Sequence, residues 1–210
     1  MSAARAPLTN GLALLCAAVH LLLLVSGRHE WAVLSGGFIP DRWSGLAYGP
    51  AVPALLSPLS AALLHSNVLH LAMNMLILVF VGRQLEPVLG WRLLAGLLLA
   101  GVYAAALAEW LLSDSGNIIV IGASGAISAL VGAFAFIFNR NSVRPIGPIP
   151  AVVVRATWLA LAWIGLQFAI GYAAGGGIAI LSHIGGFLAG LVLARPLLRA
   201  RFRDPRSALR

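Results

Sequence analysis

Six long apolar runs, almost free of charge, leave this chain few ways to fold. They cover approximately Thr9–Ser26, Leu59–Gly82, Trp91–Leu112, Ile118–Asn139, Ala151–Ala174 and Gly177–Arg195. An α-helix needs roughly 17 to 25 apolar residues to cross the hydrocarbon of a bilayer. Lipid offers no water to backbone N–H and C=O groups, so each such segment must satisfy them internally as a helix. Only 10% of the 210 residues are charged, where an ordinary soluble domain carries about 25%. The chain therefore reads as an all-α integral membrane protein, a bundle of six transmembrane helices with no spare sequence for a large soluble domain.

The net charge of +8 comes entirely from arginine on the basic side. Such a balance suits nucleic-acid binding when it forms a patch, but here the arginines lie between and after the apolar runs. With the N-terminus inside, 12 of the 14 arginines fall on the inner side, leaving Arg28 and Arg42 outside. That asymmetry is a topology signal. It puts both termini in the cytoplasm: residues 1–8 as a short N-terminus, 9–195 as the six-helix domain, 196–210 as an Arg-rich tail. Membrane lipids are expected as partners and nucleic acid is not; oligomeric state is unreadable. The loop 27–58 carries Trp31, Phe38, Trp43 and Tyr48 among Gly and Pro, which predicts a folded loop at the outer interface. Around Ala173–Gly177 the connection is short, so the last two helices must be antiparallel neighbours. Arg5 followed by an apolar run resembles a signal peptide, but no good small-residue cleavage site follows, and a retained helix is the reading. The lone Cys16 excludes an internal disulfide and a thiolate metal cluster.

Polar side chains inside a membrane are costly and need a reason. Five positions draw the question: His65, His70, Asn74, Ser124 and His183. A lone membrane histidine is as readily a helix–helix hydrogen bonder as a catalyst. His183, however, shares a helix face with Gly186 and Gly190, a GxxxG pair that lets backbones approach. Ser124, Ser128 and Gly132 repeat every four residues on the fourth run, with Gly125 beside them and Gly122 just before. Two small faces at matching depth bring a hydroxyl to an imidazole. A serine hydroxyl attacks only when a base takes its proton, and histidine is the usual base. Glu109 and Asp114 have no motif spacing to His183, so a two-residue dyad is expected, oriented by packing. His70 and Asn74, four apart on one helix face, are candidate donors to a developing oxyanion; their bland alternative is a polar helix cap. His65 is expected to order the loop or helix entry, Glu86 to play a structural capping or ion-pair role, and His20 to be a packing or lipid-interface residue.

In chain order, "HSNVLHLAMN", "GRQLEPVLG", "GASG" and "SHIGGFLAG" resemble the signatures of the rhomboid family of intramembrane serine proteases. The first carries His70 and Asn74, the second the Glu86-x-x-x-Gly90 spacing, the third the nucleophile motif at Ser124, the fourth the base at His183. Together they run from about His65 to Gly190. The resemblance implies a bacterial, minimal six-helix fold in the inner membrane, with the site open to the periplasmic side. It implies a serine endopeptidase that cuts single-pass membrane proteins within or beside their transmembrane segment, without metal or cofactor. It also implies that the Ser124 backbone N–H joins His70 and Asn74 in the oxyanion hole, and that substrate enters sideways near the fifth helix and first loop. Some members have an aromatic residue four positions after the nucleophile, packed on the histidine; here it is Ser128. Some carry Trp-Arg in the first loop; this chain has Arg42 before Trp43. The alternative function is a catalytically inactive rhomboid-like protein that binds membrane segments. A transporter or channel would call for repeats, broken helices or intramembrane acids, and none is read here.

Overall fold

The computed structural model describes residues 6–46, 48–49, 51–138, 143–173 and 179–203. Eight α-helices are described: α1 (Pro7–Val25), α2 (His29–Gly36), α3 (Ser57–Ala61), α4 (Val68–Leu89), α5 (Trp91–Leu112), α6 (Ser124–Phe138), α7 (Ala151–Ala173) and α8 (Ile180–Arg203). Among the described residues there is no sheet, only two isolated bridges. Five helices are long and apolar enough to cross a membrane: α1, α4, α5, α7 and α8. Their outward faces carry Leu22, Val25, Leu69, Phe80, Trp158 and Val192, all well exposed. So broad an apolar belt fits lipid and not water.

Among its described residues, the run read as Ile118–Asn139 is helical only over the 15 residues of α6, about 22 Å at 1.5 Å per residue. Residues before Ser124 are pulled out of helix by partners elsewhere. Val120 exchanges backbone hydrogen bonds with Phe38, and Gly122 N–H donates to the Ala61 carbonyl at 2.9 Å. The run read as Leu59–Gly82 also divides. Asn67 Oδ1 accepts from His70 N–H and caps α4, so the long helix begins at Val68. It continues past Gly82 because Leu85 and Leu89 are fully buried, and it stops at Gly90, where φ is +80°. The last helix outruns its expected end at Arg195, passing Pro196 to reach Arg203; Leu197 and Leu198 pack on the core. Residues 196–203 are thus helical. Arg5, the 174–178 connection and residues 204–210 lie outside the described residues.

α6 is the buried axis of the bundle. Nine of its residues are buried, among them Gly125, Ser128, Ala129, Leu130 and Gly132, and α4, α5 and α8 surround it. The α6–α8 crossing depends on missing side chains. A Cβ on Gly186 would land on the Gly125 carbonyl oxygen, one on Gly190 on the Ala129 carbonyl oxygen, and one on Gly132 on the Phe187 carbonyl oxygen. Such backbone approach is what small-residue helix faces permit.

Two buried carboxylates tie helix starts to distant helix ends. Glu86, near the end of α4, accepts from Leu8 N–H, Thr9 N–H and Thr9 Oγ at 2.9, 2.8 and 2.6 Å. Glu109, near the end of α5, accepts from Ser182 N–H and Oγ at 2.9 and 2.8 Å. Each fills unsatisfied N–H groups at a positive helix end. The contacts also order the helix directions: α1 and α4 are antiparallel, and α8 starts where α5 ends. The first loop is folded, as its aromatics predict. Trp43 Nε1 donates to the Ala54 carbonyl at 2.8 Å, Tyr48 donates to Asp41, and Trp110 Nε1 donates to Ser44 Oγ.

Candidate active site

Ser124 is the first residue of α6. The first N–H groups of any helix lack partners within it and carry the positive end of its dipole. Gly122, two residues earlier, has φ +114°, a backbone angle that a Cβ disfavours. That turn swings the chain from its bridge with the loop into the helix and leaves Ser124 half-buried.

His183 lies in the first turn of α8 and meets Ser124 across the α6–α8 crossing. His183 Nε2 is 2.8 Å from Ser124 Oγ. The other ring nitrogen, Nδ1, is 2.7 Å from Gln167 Oε1 on α7. Gln167 is not among the residues that the sequence singles out, where packing alone is expected to orient the imidazole. Ser128 is buried, and no hydrogen bond joins it to His183 among the described residues; it lines the crossing opposite Gly186. The missed signal was a lone amide in an otherwise apolar run. Trp163, one turn before Gln167, stacks on Phe187 at 4.8 Å and donates its Nε1–H to the His183 carbonyl at 3.4 Å. Glu109 clasps the backbone beside His183 but does not reach its ring, as its spacing implied.

His70 stands on the opposite wall. Its Nδ1 accepts from Ser66 N–H at 3.4 Å, with Ser66 Oγ at 3.2 Å. Accepting there leaves the ring proton on Nε2. A Cβ placed on Gly122 would sit 2.9 Å from His70 Nε2 and 3.7 Å from Ser124 Oγ. The missing side chain therefore leaves a space that an imidazole N–H and the serine hydroxyl both border. Asn74 is buried one turn along, and its Nδ2 donates to the His70 carbonyl at 2.9 Å, which spends one of its two amide hydrogens. Beside Ser124 lies an apolar cavity of about 30 Å³ walled by Phe38, Ala61, Val102, Ala105 and Gly122, room for a water or a small side chain.

Behind His70, the buried His65 ring packs edge-on at 5.2 Å, and the His65 carbonyl accepts from His29 Nε2–H at 2.8 Å. This ties the first loop to the entry of α4 through the His65 backbone and not its ring. Burial, aided by repulsion from His70, pushes the His65 imidazole down to about 4, so it stays neutral near pH 7. His20 is also buried, with its ring 5.7 Å from His29.

The family model described as Rhomboid domain matches residues 54–200, a span that holds Ser66, His70, Asn74, Ser124, Gln167 and His183. The chain is 27% identical over 206 residues to Rhomboid protease GlpG of Yersinia pestis (strain Pestoides F), covering 97% of this chain and 65% of that protein. The same figures hold for Rhomboid protease GlpG of Yersinia pseudotuberculosis serotype O:3 (strain YPIII). It is 31% identical over 144 residues to RHOMBOID-like protein 4 of Arabidopsis thaliana, covering 67% of this chain and 33% of that one. The chain thus spans about 65% of the length of the curated bacterial relatives it matches.

Proposed function

The chain belongs to the rhomboid family, and from that premise we propose that it is an intramembrane serine endopeptidase working through a Ser124–His183 dyad. The observation that carries the reading is the 2.8 Å contact between His183 Nε2 and Ser124 Oγ. In acylation, His183 Nε2 takes the Ser124 hydroxyl proton as Oγ bonds to the scissile carbonyl carbon. The carbonyl π pair moves onto oxygen, where His70 Nε2–H, Asn74 Nδ2–H and the Ser124 backbone N–H stabilise it. Collapse breaks the C–N bond, and the leaving amine takes the proton from His183. Water then attacks the acyl-enzyme, losing its proton to His183. The C–Oγ bond breaks, and Ser124 regains a proton.

The substrates of this reading are single-pass membrane proteins, cut within or beside the spanning segment. The membrane placement belongs to the same proposal: six spans, with α6 the short one, and both termini cytoplasmic in a bacterial inner membrane. Residues 1–8, 9–195 and 196–210 keep their topological roles in it, the last of them partly helical, and the loop 27–58 lies at the periplasmic interface. A short α6 supports it physically. Ser124 at its start then lies below the lipid headgroups, in a dip that water reaches from the outer side.

A fluorophosphonate tests the nucleophile directly. Mass spectrometry of labelled protein in nanodiscs is expected to find the adduct on Ser124. Ser128 is buried and no hydrogen bond joins it to a histidine among the described residues, so an adduct there instead would refute the assignment. The oxyanion wall gives a second expectation: His70→Ala and Asn74→Ala each lower kcat by about 10²-fold while KM changes little. Loss confined to KM would mean that these residues hold substrate and not the developing charge.

A further inference from the structure

α7 is the least buried of the spanning helices, yet it buries one amide. Gln167 is 4% exposed, with its Oε1 2.7 Å from His183 Nδ1. An amide placed in apolar surroundings is costly unless it is hydrogen-bonded. An amide oxygen can only accept, so the hydrogen of this bond belongs to Nδ1. A neutral imidazole carries one proton, and Nε2 is then left as a bare lone pair facing Ser124 Oγ. The opposite tautomer would set an N–H against the hydroxyl and an imidazole lone pair against the amide oxygen.

We propose that Gln167 is a positioning residue that holds His183 in the Nδ1–H tautomer and so makes Nε2 the base for Ser124. The proposal rests on the reading of Ser124 and His183 as nucleophile and base. It gives the site a neutral counterpart of the carboxylate that orients histidine in soluble serine proteases. Neutrality suits the place, because an unpaired buried carboxylate would carry a heavy desolvation penalty, and Glu109 is already committed to Ser182. The two imidazoles of the site are thereby set to opposite tautomers by opposite neighbours: Ser66 donates to His70 Nδ1 and leaves Nε2–H, whereas Gln167 accepts from His183 Nδ1. Trp163, four residues before Gln167, grips the His183 carbonyl from the same helix, so α7 holds both the backbone and the ring of the base.

The test begins with ¹⁵N NMR of histidine-labelled protein in nanodiscs, the His183 signals being assigned by their loss in His183→Asn. In the wild-type protein Nδ1 is expected at the protonated position and Nε2 at the unprotonated one. Gln167→Leu is expected to bring up the Nε2–H tautomer, and Gln167→Glu, which keeps an acceptor, to retain Nδ1–H. On a single-pass substrate Gln167→Leu should lower kcat by about 10- to 100-fold, the scale on which loss of an outer hydrogen-bond partner is felt, with KM within about twofold. Gln167→Glu should restore most of kcat and move the acid limb of the pH profile to higher pH, since a carboxylate favours the imidazolium. A purely structural glutamine would leave tautomer and pH profile unmoved. A wild-type proton on Nε2, or a Gln167→Leu protein with wild-type tautomer and kcat, overturns the proposal. Should Gln167→Leu fail to fold, the wild-type spectrum and the Gln167→Glu profile still decide it. Absence of cleavage by the wild-type protein would count against the proteolytic reading, while the tautomer answers the question about Gln167 by itself.

Discussion

Ser124→Ala is expected to lower cleavage of a single-pass substrate in liposomes by on the order of 10⁶-fold, and His183→Ala to do nearly the same. Ser128 faces α8 from within the packed crossing, and Glu109 is held by Ser182. On the proposed mechanism the pair acts as one device, since the hydroxyl attacks only as its proton leaves for Nε2. The double variant is therefore expected to be no slower than either single one. Melting temperatures should stay near wild type, because the lost hydrogen bond joins half-buried groups that water can reach. A Ser124→Ala protein that still cleaves, free of contaminating protease, would remove the mechanism. Losses that multiply in the double variant would mean that the two residues work separately.

The second large effect concerns a residue with no chemistry. Gly186→Ala adds one methyl group, and that methyl lands on the Gly125 carbonyl oxygen. Backbone cannot rotate away as a side chain could, so α6 and α8 must separate. Overpacking a well-filled core costs about 1–3 kcal/mol, and a collision with backbone belongs at or above the top of that range. Ser124 sits one residue before Gly125, and His183 three before Gly186, so the same opening lengthens the contact between hydroxyl and imidazole. Thermal melting should fall sharply and cleavage should fall with it. Gly165→Ala on α7 is the control, because nothing lies within 4 Å of its missing Cβ and both properties should be retained. A Gly186→Ala protein with wild-type melting and activity would mean that the helices do not approach as closely as described.

What could be read from the amino-acid order was periodic or local. The small faces of α6 and α8 repeat every three or four residues, so the meeting of Ser124 and His183 followed from spacing and depth. Gly186 and Gly190 were legible for the same reason. Helix ends were harder. "LSAALLHSNVL" reads as one apolar run, and only the Asn67 cap divides it. Asn67 followed three residues later by the N–H it receives was a usable signal, weaker than the hydrophobicity around it. The premature start assigned to α6 has a different cause. The β-branched run Ile118–Ile121 and Gly122 disfavour a helix only weakly; the partners that decide it, Phe38 and Ala61, lie far away in sequence. The carboxylate of Glu109 meets Ser182 across 73 residues, and no local pattern announces such a pair. Gln167 stands between these cases. A single amide in an apolar helix announces that a partner exists, and the bundle geometry is needed to say which.

The two carboxylate clasps also bear on how the protein comes into being. Glu86 is made 77 residues after Thr9, so the start of the first helix stays unfinished until α4 has entered the bundle. Glu109 waits for Ser182 in α8, and Ser124 waits 59 residues for His183. Chains emerge N-terminal end first. On the proposed mechanism, a nascent chain therefore holds Ser124 without its base while the next 59 residues are made, and is inert toward the membrane proteins around it over that interval. On that mechanism the docking of α8 completes the packing of α6 and the reactivity of Ser124 in one event, so a product that lacks α8 is a harmless one.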